Sequence, residues 1–217
     1  HVFAVVQDEV WQIDTGTGKV VKVHQASPIE RDGWDTDWGF VARAGDQLIG
    51  SSVKEGASWT EYWGKEGWHD ARTGPSTFQV GSDRLFARNL EDGSEAWSWS
   101  NGVILNSSIT IADGKVYFVE SRHPDVTSSE DRRLGSPEFW QQQFLVSLDA
   151  TTGSKLWEKP IDTVDGTVAF YMAHAKDRLV VVSSSEKAFH VSTYMDDRGK
   201  EIWQQKVGWK EGKGDNG

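Results

Sequence analysis

The stretch Phe144–Lys159, FLVSLDATTGSKLWEK, decides how the chain is read. Phe144, Val146 and Leu148 alternate with Leu145, Ser147 and Asp149, and a period of two is the pattern of a β-strand. Asp149-Ala-Thr-Thr-Gly153 follows. An Asp side chain accepts from backbone two residues on and Gly tolerates positive φ, so a tight turn is expected there. Lys155, Leu156 and Trp157 then begin a strand running back. The unit is a hairpin with a Trp four residues past its turn glycine.

The unit recurs. Leu85–Trp97, LFARNLEDGSEAW, sets Gly93 and Trp97 four apart, and Phe189–Trp203, FHVSTYMDDRGKEIW, does the same with Gly199 and Trp203. Val10–Val23, VWQIDTGTGKVVKV, keeps Asp14 and Gly18 at the spacing of Asp149 and Gly153, with Lys22 where the Trp would stand. The turn glycines fall at 18, 93, 153 and 199, at intervals of 75, 60 and 46 residues. A repeat of about 40–50 residues built only of strands marks propeller blades. The longer intervals are then the same blade carrying insertions of about 29 and 14 residues.

Leu148–Trp157, LDATTGSKLW, resembles the repeat of the pyrroloquinoline quinone (PQQ)-like β-propellers, in which a Trp on the outer strand packs between neighbouring blades, the tryptophan-docking motif. The matching positions are Trp97, Trp157 and Trp203. The strand pairs ahead of the hairpins extend the resemblance, at 39–53 (GFVARAGDQLIGSSV), 107–121 (SSITIADGKVYFVES) and 170–185 (FYMAHAKDRLVVVSSS). It implies an all-β propeller of four-stranded antiparallel blades, about four of them present, as an incomplete arc of a seven- or eight-bladed ring. The expected segments are a partial blade at 1–26, a blade at 38–100 with an insertion at 54–75, a blade at 106–160 with an insertion at 122–143, a blade at 168–206, and an irregular tail at 207–217. The first blade shows three strands, Val2–Val6, Val10–Ile13 and Val20–His24. The tail, GWKEGKGDNG, lacks alternation and makes a poor fourth. Bare blade edges are therefore expected at both ends, with the missing blades coming from the same propeller, a companion fragment or a second copy.

Composition narrows the function classes. Twelve Trp and 22 Gly among 217 residues suit short twisted strands and tight turns. The formal charge is -10 and neither Lys nor Arg forms a run, which argues against nucleic acid or an anionic membrane surface as partner. Cysteine is absent, so no disulfide, thiolate nucleophile or Cys-based metal site can form. No apolar run approaches the ~18 residues that span a bilayer. The opening His1-Val2-Phe3-Ala4 has neither initiator Met nor signal-peptide pattern, so a mature or excised segment is expected.

Two aromatic clusters are the candidate ligand-binding sites. Trp34, Asp35, Asp37 and Trp38 sit in the connection SPIERDGWDTDW at 27–38. Trp59, Tyr62, Trp63, Trp68, His69 and Asp70 fill the first insertion, KEGASWTEYWGKEGWHDARTGP, which lacks a clean period and reads as an ordered loop. Exposed rings beside carboxylates can stack on a sugar or a flat cofactor; the same rings can equally fasten the insertion to the propeller. The second insertion reads as charged loop ending in a short helix from Ser136-Pro-Glu-Phe-Trp140. Gly212–Gly217 spells G-x-G-x-x-G but lacks the strand and helix a dinucleotide site needs. The six histidines show no zinc-like pairing, His190 reads as structural, and Asp32, Asp35 and Asp37 read as solvated turn acids rather than a calcium loop. Asn106-Ser-Ser is a glycosylation sequon, and no G-x-S-x-G elbow occurs.

The resemblance implies an extracytoplasmic, periplasmic bacterial protein. The function expected is a non-catalytic scaffold that binds a ligand or another protein. One alternative is part of a quinoprotein dehydrogenase, with PQQ and calcium on the propeller axis, oxidising alcohols or sugars; the other is a carbohydrate-binding module. Family members with dehydrogenase activity carry an adjacent Cys pair, calcium-binding acids and a catalytic Asp. This chain has no cysteine and no acid that matches those roles by motif, so no catalytic residue, metal ligand or cofactor is assigned.

Overall fold

The computed structural model describes residues 1–6, 8–31, 33–55, 80–161, 169–185 and 188–208. Four antiparallel sheets follow one another along the chain. The first holds β1 (Val2–Val6), β2 (Glu9–Ile13) and β3 (Val20–Gln25) in that order. The second holds β4 (Thr36–Ala44), β5 (Gln47–Lys54), β6 (Arg84–Asn89) and β7 (Glu95–Trp99). In the third, β10 (Lys115–Ser121), β11 (Gln143–Asp149) and β12 (Lys155–Ile161) are joined by an inner strand in two pieces, β8 (Val103–Ile104) and β9 (Thr110–Ala112), with a 3-10 turn at Asn106–Ser108 between them. The fourth holds β13 (Ala169–Ala175), β14 (Arg178–Ser185), β15 (Ala188–Met195) and β16 (Glu201–Gly208). Sequential pairing within each sheet and no exchange between sheets makes each one a blade. The first has three strands among the described residues.

The repeated hairpin has one geometry in all four blades. Gly18, Gly93, Gly153 and Gly199 have φ of 67°, 79°, 70° and 64°, the left-handed region that closes a turn of this kind. Each glycine donates its N–H to the carbonyl four residues back, at 2.8–2.9 Å. A register shift sits at the same place in each hairpin, at Gln12/Ile13, Ala87/Arg88, Ser147/Leu148 and Thr193/Tyr194. Such a bulge adds local twist, which splays the outer strand.

The hydrophobic core is a set of layers between sheets. Val10, Trp38, Leu48 and Phe86 form the layer between the first and second blades. Ile49, Leu85, Ala87 and Trp97 meet Val116, Phe118, Val146 and Leu148 between the second and third. Tyr117, Val119 and Leu145 meet Phe170, Met172, Leu179, Val181 and Tyr194 between the third and fourth. Alternation along each strand sends one set of side chains to each neighbour.

Several local expectations change. Asp37 and Trp38 belong to β4 and are buried, not part of an exposed connection. Trp38 is accommodated because Gly50 faces it, where a Cβ would lie 2.3 Å from the indole. Asp37 is accordingly not a solvated turn acid. The second insertion carries α1 (Pro124–Ser128), capped by His123, which the charged composition concealed. The helix expected near Ser136 is a 3-10 turn at Pro137–Trp140; the Ser136 hydroxyl donates to the Glu138 carboxylate rather than capping backbone. The tail is shorter than expected, since β16 runs to Gly208. Asp32, the rest of the tail, the insertion from 56 to 79 and with it Trp59, Tyr62, Trp63, Trp68, His69 and Asp70 lie outside the described residues.

Candidate functional site

Blade-to-blade junctions are built by one recurring lock. Trp97, on the outer strand β7, donates its Nε1–H to the Ala150 carbonyl at 2.9 Å. Its ring lies over Gly153, where a Cβ would stand 2.6 Å from the indole Cγ. Trp157, on β12, repeats this one blade on: it donates to the Asp196 carbonyl at 2.9 Å and covers Gly199, where a Cβ would be 2.6 Å from the ring. Ala150 and Asp196 are each the residue after the one that opens the turn. Lys22 stands in the Trp position of β3 and donates through Nζ to the Leu90 and Glu91 carbonyls, at 2.7 and 2.9 Å. Leu90 is the counterpart of Ala150, so the lysine reproduces the donor and dispenses with the ring.

Trp203 departs from this pattern. It occupies the same position on β16 but is 45% exposed, because no blade follows β16 among the described residues. It was expected to pack between blades as Trp97, which is buried, and Trp157, which is partly buried, do. The register places Tyr171, Val180, Val182, Phe189, Val191, Trp203 and Val207 on one face of the fourth sheet. Tyr171, Phe189, Trp203 and Val207 are exposed there. The opposite face is buried against the third blade. At the other end of the arc, Val2, Ala4, Trp11, Ile13, Val20 and Val23 share the face of the first sheet turned away from the second blade.

The junction of the third and fourth blades also holds a polar cluster. His174 Nε2 lies 3.2 Å from Asp196 Oδ2 and 3.8 Å from Asp113 Oδ2. Lys115 Nζ is 3.5 Å from the same Asp196 oxygen, and the Tyr117 ring stacks on His174 at 5.9 Å. Burial pushes the Asp196 carboxyl up, but hydrogen bonding from His174 and the charge of Lys115 outweigh it and hold the group below the usual carboxylate range. Burial and the neighbouring Asp196 push the Tyr117 phenol up. Asp113, His174 and Asp196 are close enough together to share an ion, yet Lys115 already supplies a cation to the central oxygen. Calcium takes about six to eight oxygens, and two carboxylates do not fit that demand.

At the loop end of the first three blades is a polar cleft of about 260 Å³, bordered by Glu30, Arg31, Asp83, Arg84 and Arg132. Arg132 is buried and grips Asp83 through Nε and Nη2, at 2.8–3.0 Å. Its Nη1 donates to the Val126 carbonyl at the end of α1. Arg31 donates to the carbonyls of Thr127, Ser128 and Ser129. Arg84 pairs with Glu95 at 2.7 Å; burial pushes that carboxyl up, but Ser27 and Arg84 override it and hold it low. These guanidinium groups fasten the connections to the blades. Trp34 is half-buried beside the cleft with Arg31, Lys54 and Arg132 at 4.6, 4.5 and 5.3 Å from its ring centroid, and Asp35 is exposed nearby. Asn106, of the sequon, is held inside by the hydroxyls of Ser51 and Ser82.

The architecture is that of an open arc of β-propeller blades. Quinohemoprotein alcohol dehydrogenase from Comamonas testosteroni shares it, with a TM-score of 0.54 at 15% identity over 94% of this chain and 33% of that one. So does the quinohemoprotein alcohol dehydrogenase ADHIIG from Pseudomonas putida HK5, with a TM-score of 0.55 at 12% identity over the same shares. BamB from Moraxella catarrhalis aligns with 94% of this chain and 60% of its own at 16% identity, but its TM-score of 0.37 carries no argument. The chain thus spans about a third of the length of the dehydrogenases. At these identities the likeness shows the fold alone. No protein-family model and no curated protein matches the sequence. Among the described residues no helix is long and apolar enough to cross a membrane.

Proposed function

We propose that this chain is a non-catalytic propeller scaffold of an extracytoplasmic bacterial protein and that it works by docking a protein module on the outer face of the fourth blade. The observation that carries this reading is the row of Tyr171, Trp203 and Val207, apolar side chains that share the outer face of the fourth sheet by strand register and are exposed. A contiguous exposed apolar patch of this kind marks an interaction site. The extracytoplasmic setting rests on the resemblance to PQQ-like propellers. On this reading the chain holds neither PQQ nor calcium. The Cys pair of the dehydrogenases has no counterpart in a chain without cysteine, and the arginines that could meet the carboxylates of a quinone are engaged by carbonyls and acids of the protein itself.

The test uses a dye that fluoresces on apolar surface, such as ANS, added to chain dilute enough to be a single molecule. Bright binding that falls several-fold in Val207→Lys and in Trp203→Lys is expected. Absence of binding, or binding that both substitutions leave unchanged, overturns the docking face.

A further inference from the structure

We propose that Asp113, His174 and Asp196 form a site for one divalent transition-metal ion of the zinc class, bridging the third and fourth blades, with solvent as the fourth ligand. The site is independent of the docking face: His174 pairs with Leu179 and, through it, Tyr194, on the face of the fourth sheet that packs on the third blade.

The junction brings together side chains from three separate places. Asp113 is the first residue of the two-residue turn between β9 and β10. His174 is the next-to-last residue of β13, and Asp196 opens the turn between β15 and β16. Two of the three are already held in place. The His174 ring stacks on Tyr117 at 5.9 Å with 11° between the planes. Asp196 is fixed through its backbone: its carbonyl accepts from Trp157, and its N–H donates to the Asp177 carbonyl at 3.3 Å. Outer contacts of this kind orient metal ligands before the ion arrives. His174 Nε2 lies 3.2 Å from Asp196 Oδ2 and 3.8 Å from Asp113 Oδ2, and all three ligand atoms fall within 4.8 Å of one another. Tetrahedral zinc with bonds of ~2.0–2.2 Å sets its ligand atoms ~3.3–3.6 Å apart. His174 and Asp196 are close to that separation, and Asp113, whose side chain is 73% exposed, has room to close the remaining gap.

The donor set that fails calcium suits zinc. An imidazole nitrogen beside two carboxylate oxygens supplies three of the four ligands that zinc takes, and imidazole is favoured by zinc, copper and nickel over the hard cations. Charge points the same way. The neighbouring acids Asp177 and Asp197 have arginines of their own, Arg178 and Arg198. Asp113 and Asp196 share one ammonium, that of Lys115, 3.5 Å from Asp196 Oδ2, and His174 is the one basic group within 4 Å of the Asp113 carboxylate among the described residues. The Lys115 side chain is 27% exposed and sits on a flexible four-carbon stem, so a metal on Asp196 Oδ2 displaces it and the two cations compete. The bound ion ties a turn of the third blade to the fourth and stabilises the junction with its occupancy.

The experiment is isothermal titration calorimetry of the whole chain with zinc ion alone and, in parallel, with calcium ion alone. One zinc per chain and no calcium are expected, and cobalt in place of zinc should give the visible absorption of a four-coordinate ion. His174→Gln is expected to abolish the binding. Asp113→Asn, at a left-handed turn position that Asn tolerates, should weaken it by at least the ~tenfold that losing even an outer partner costs. Lys115→Gln removes the competing ammonium and should tighten it several-fold. His123→Gln, which removes the imidazole beside Asp125, should leave it unchanged. Circular dichroism checks that each variant folds; if His174→Gln does not, Asp113→Asn on its exposed turn decides. No zinc uptake, uptake that His174→Gln or Asp113→Asn leaves unchanged, or calcium bound as well as zinc overturns the site. Binding that Lys115→Gln leaves unchanged or weakens overturns the competition at Asp196.

Discussion

Replacing Trp97 with Ala tests the junction lock at its best-packed example. The substitution removes an indole that is 7% exposed, its hydrogen bond to the Ala150 carbonyl and its cover over Gly153. Truncating a buried Trp to Ala costs ~3–5 kcal/mol. A chain of this size shifts its melting midpoint by ~2–4 °C per kcal/mol, so a fall of roughly 6–20 °C follows. Trp97→Phe keeps a ring over Gly153 and loses the N–H donor, which is worth ~1 kcal/mol, so it should sit much closer to wild type. Trp203→Ala removes the same side chain from a position that is 45% exposed; its cost should fall within ~1 kcal/mol. Thermal unfolding followed by circular dichroism, at sub-micromolar chain, measures all three. The reasoning fails if Trp97→Ala costs no more than Trp203→Ala, or if Trp97→Phe is as damaging as Trp97→Ala.

Other expectations follow from the polar contacts. Arg132→Leu strands the Asp83 carboxylate and releases the carbonyls at the end of α1; breaking a buried pair in this way costs ~3–5 kcal/mol, read as a lower urea midpoint. The Asp196 carboxyl is held below its ordinary value, so its stabilising contribution is present above about pH 3.8 and is lost as pH falls through the lower folded value. The stability gap between wild type and Asp196→Asn, measured by urea unfolding from pH 6 down to pH 2.5, should therefore shrink below about pH 3.8. A gap that is constant with pH would show that Asp196 acts without its charge. PQQ titrated with calcium should leave Trp fluorescence without a stoichiometric break at about micromolar concentrations, whereas a sharp endpoint would favour a dehydrogenase role.

How far the fold could be read ahead of the structure depended on how local each signal was. The hairpins were legible because Asp149, Gly153 and Trp157 lie within nine residues of one another and the pattern returns in other blades. The three-stranded first blade was legible for the same reason. Trp38 and Asp37 were not. Their burial is decided by Gly50, across the strand pair, and by Phe86, whose ring is 5.1 Å from Trp38, and neither is adjacent in sequence. The lock made by Lys22 was equally hidden, since a lysine at an outer-strand position reads as solvated until its partners, 68 and 69 residues away, are in place. Arg132 and Asp83 lie 49 residues apart, each within charged or polar sequence that gives no hint of a buried pair. The broken inner strand of the third blade follows from Asn106–Ser108, where Ser108 turns its hydroxyl onto the Leu105 carbonyl and displaces regular pairing.

The central claim is that one lock joins successive blades and that Trp203, in the same position on β16, is exposed. Oxidative footprinting of the three tryptophans, read by mass spectrometry on chain dilute enough to be single, tests it most directly. Trp203 should be modified fast, with Trp97 and Trp157 protected several-fold by the Gly153 and Gly199 turns they cover. Equal modification of all three, or faster modification of Trp97 than of Trp203, would contradict the account.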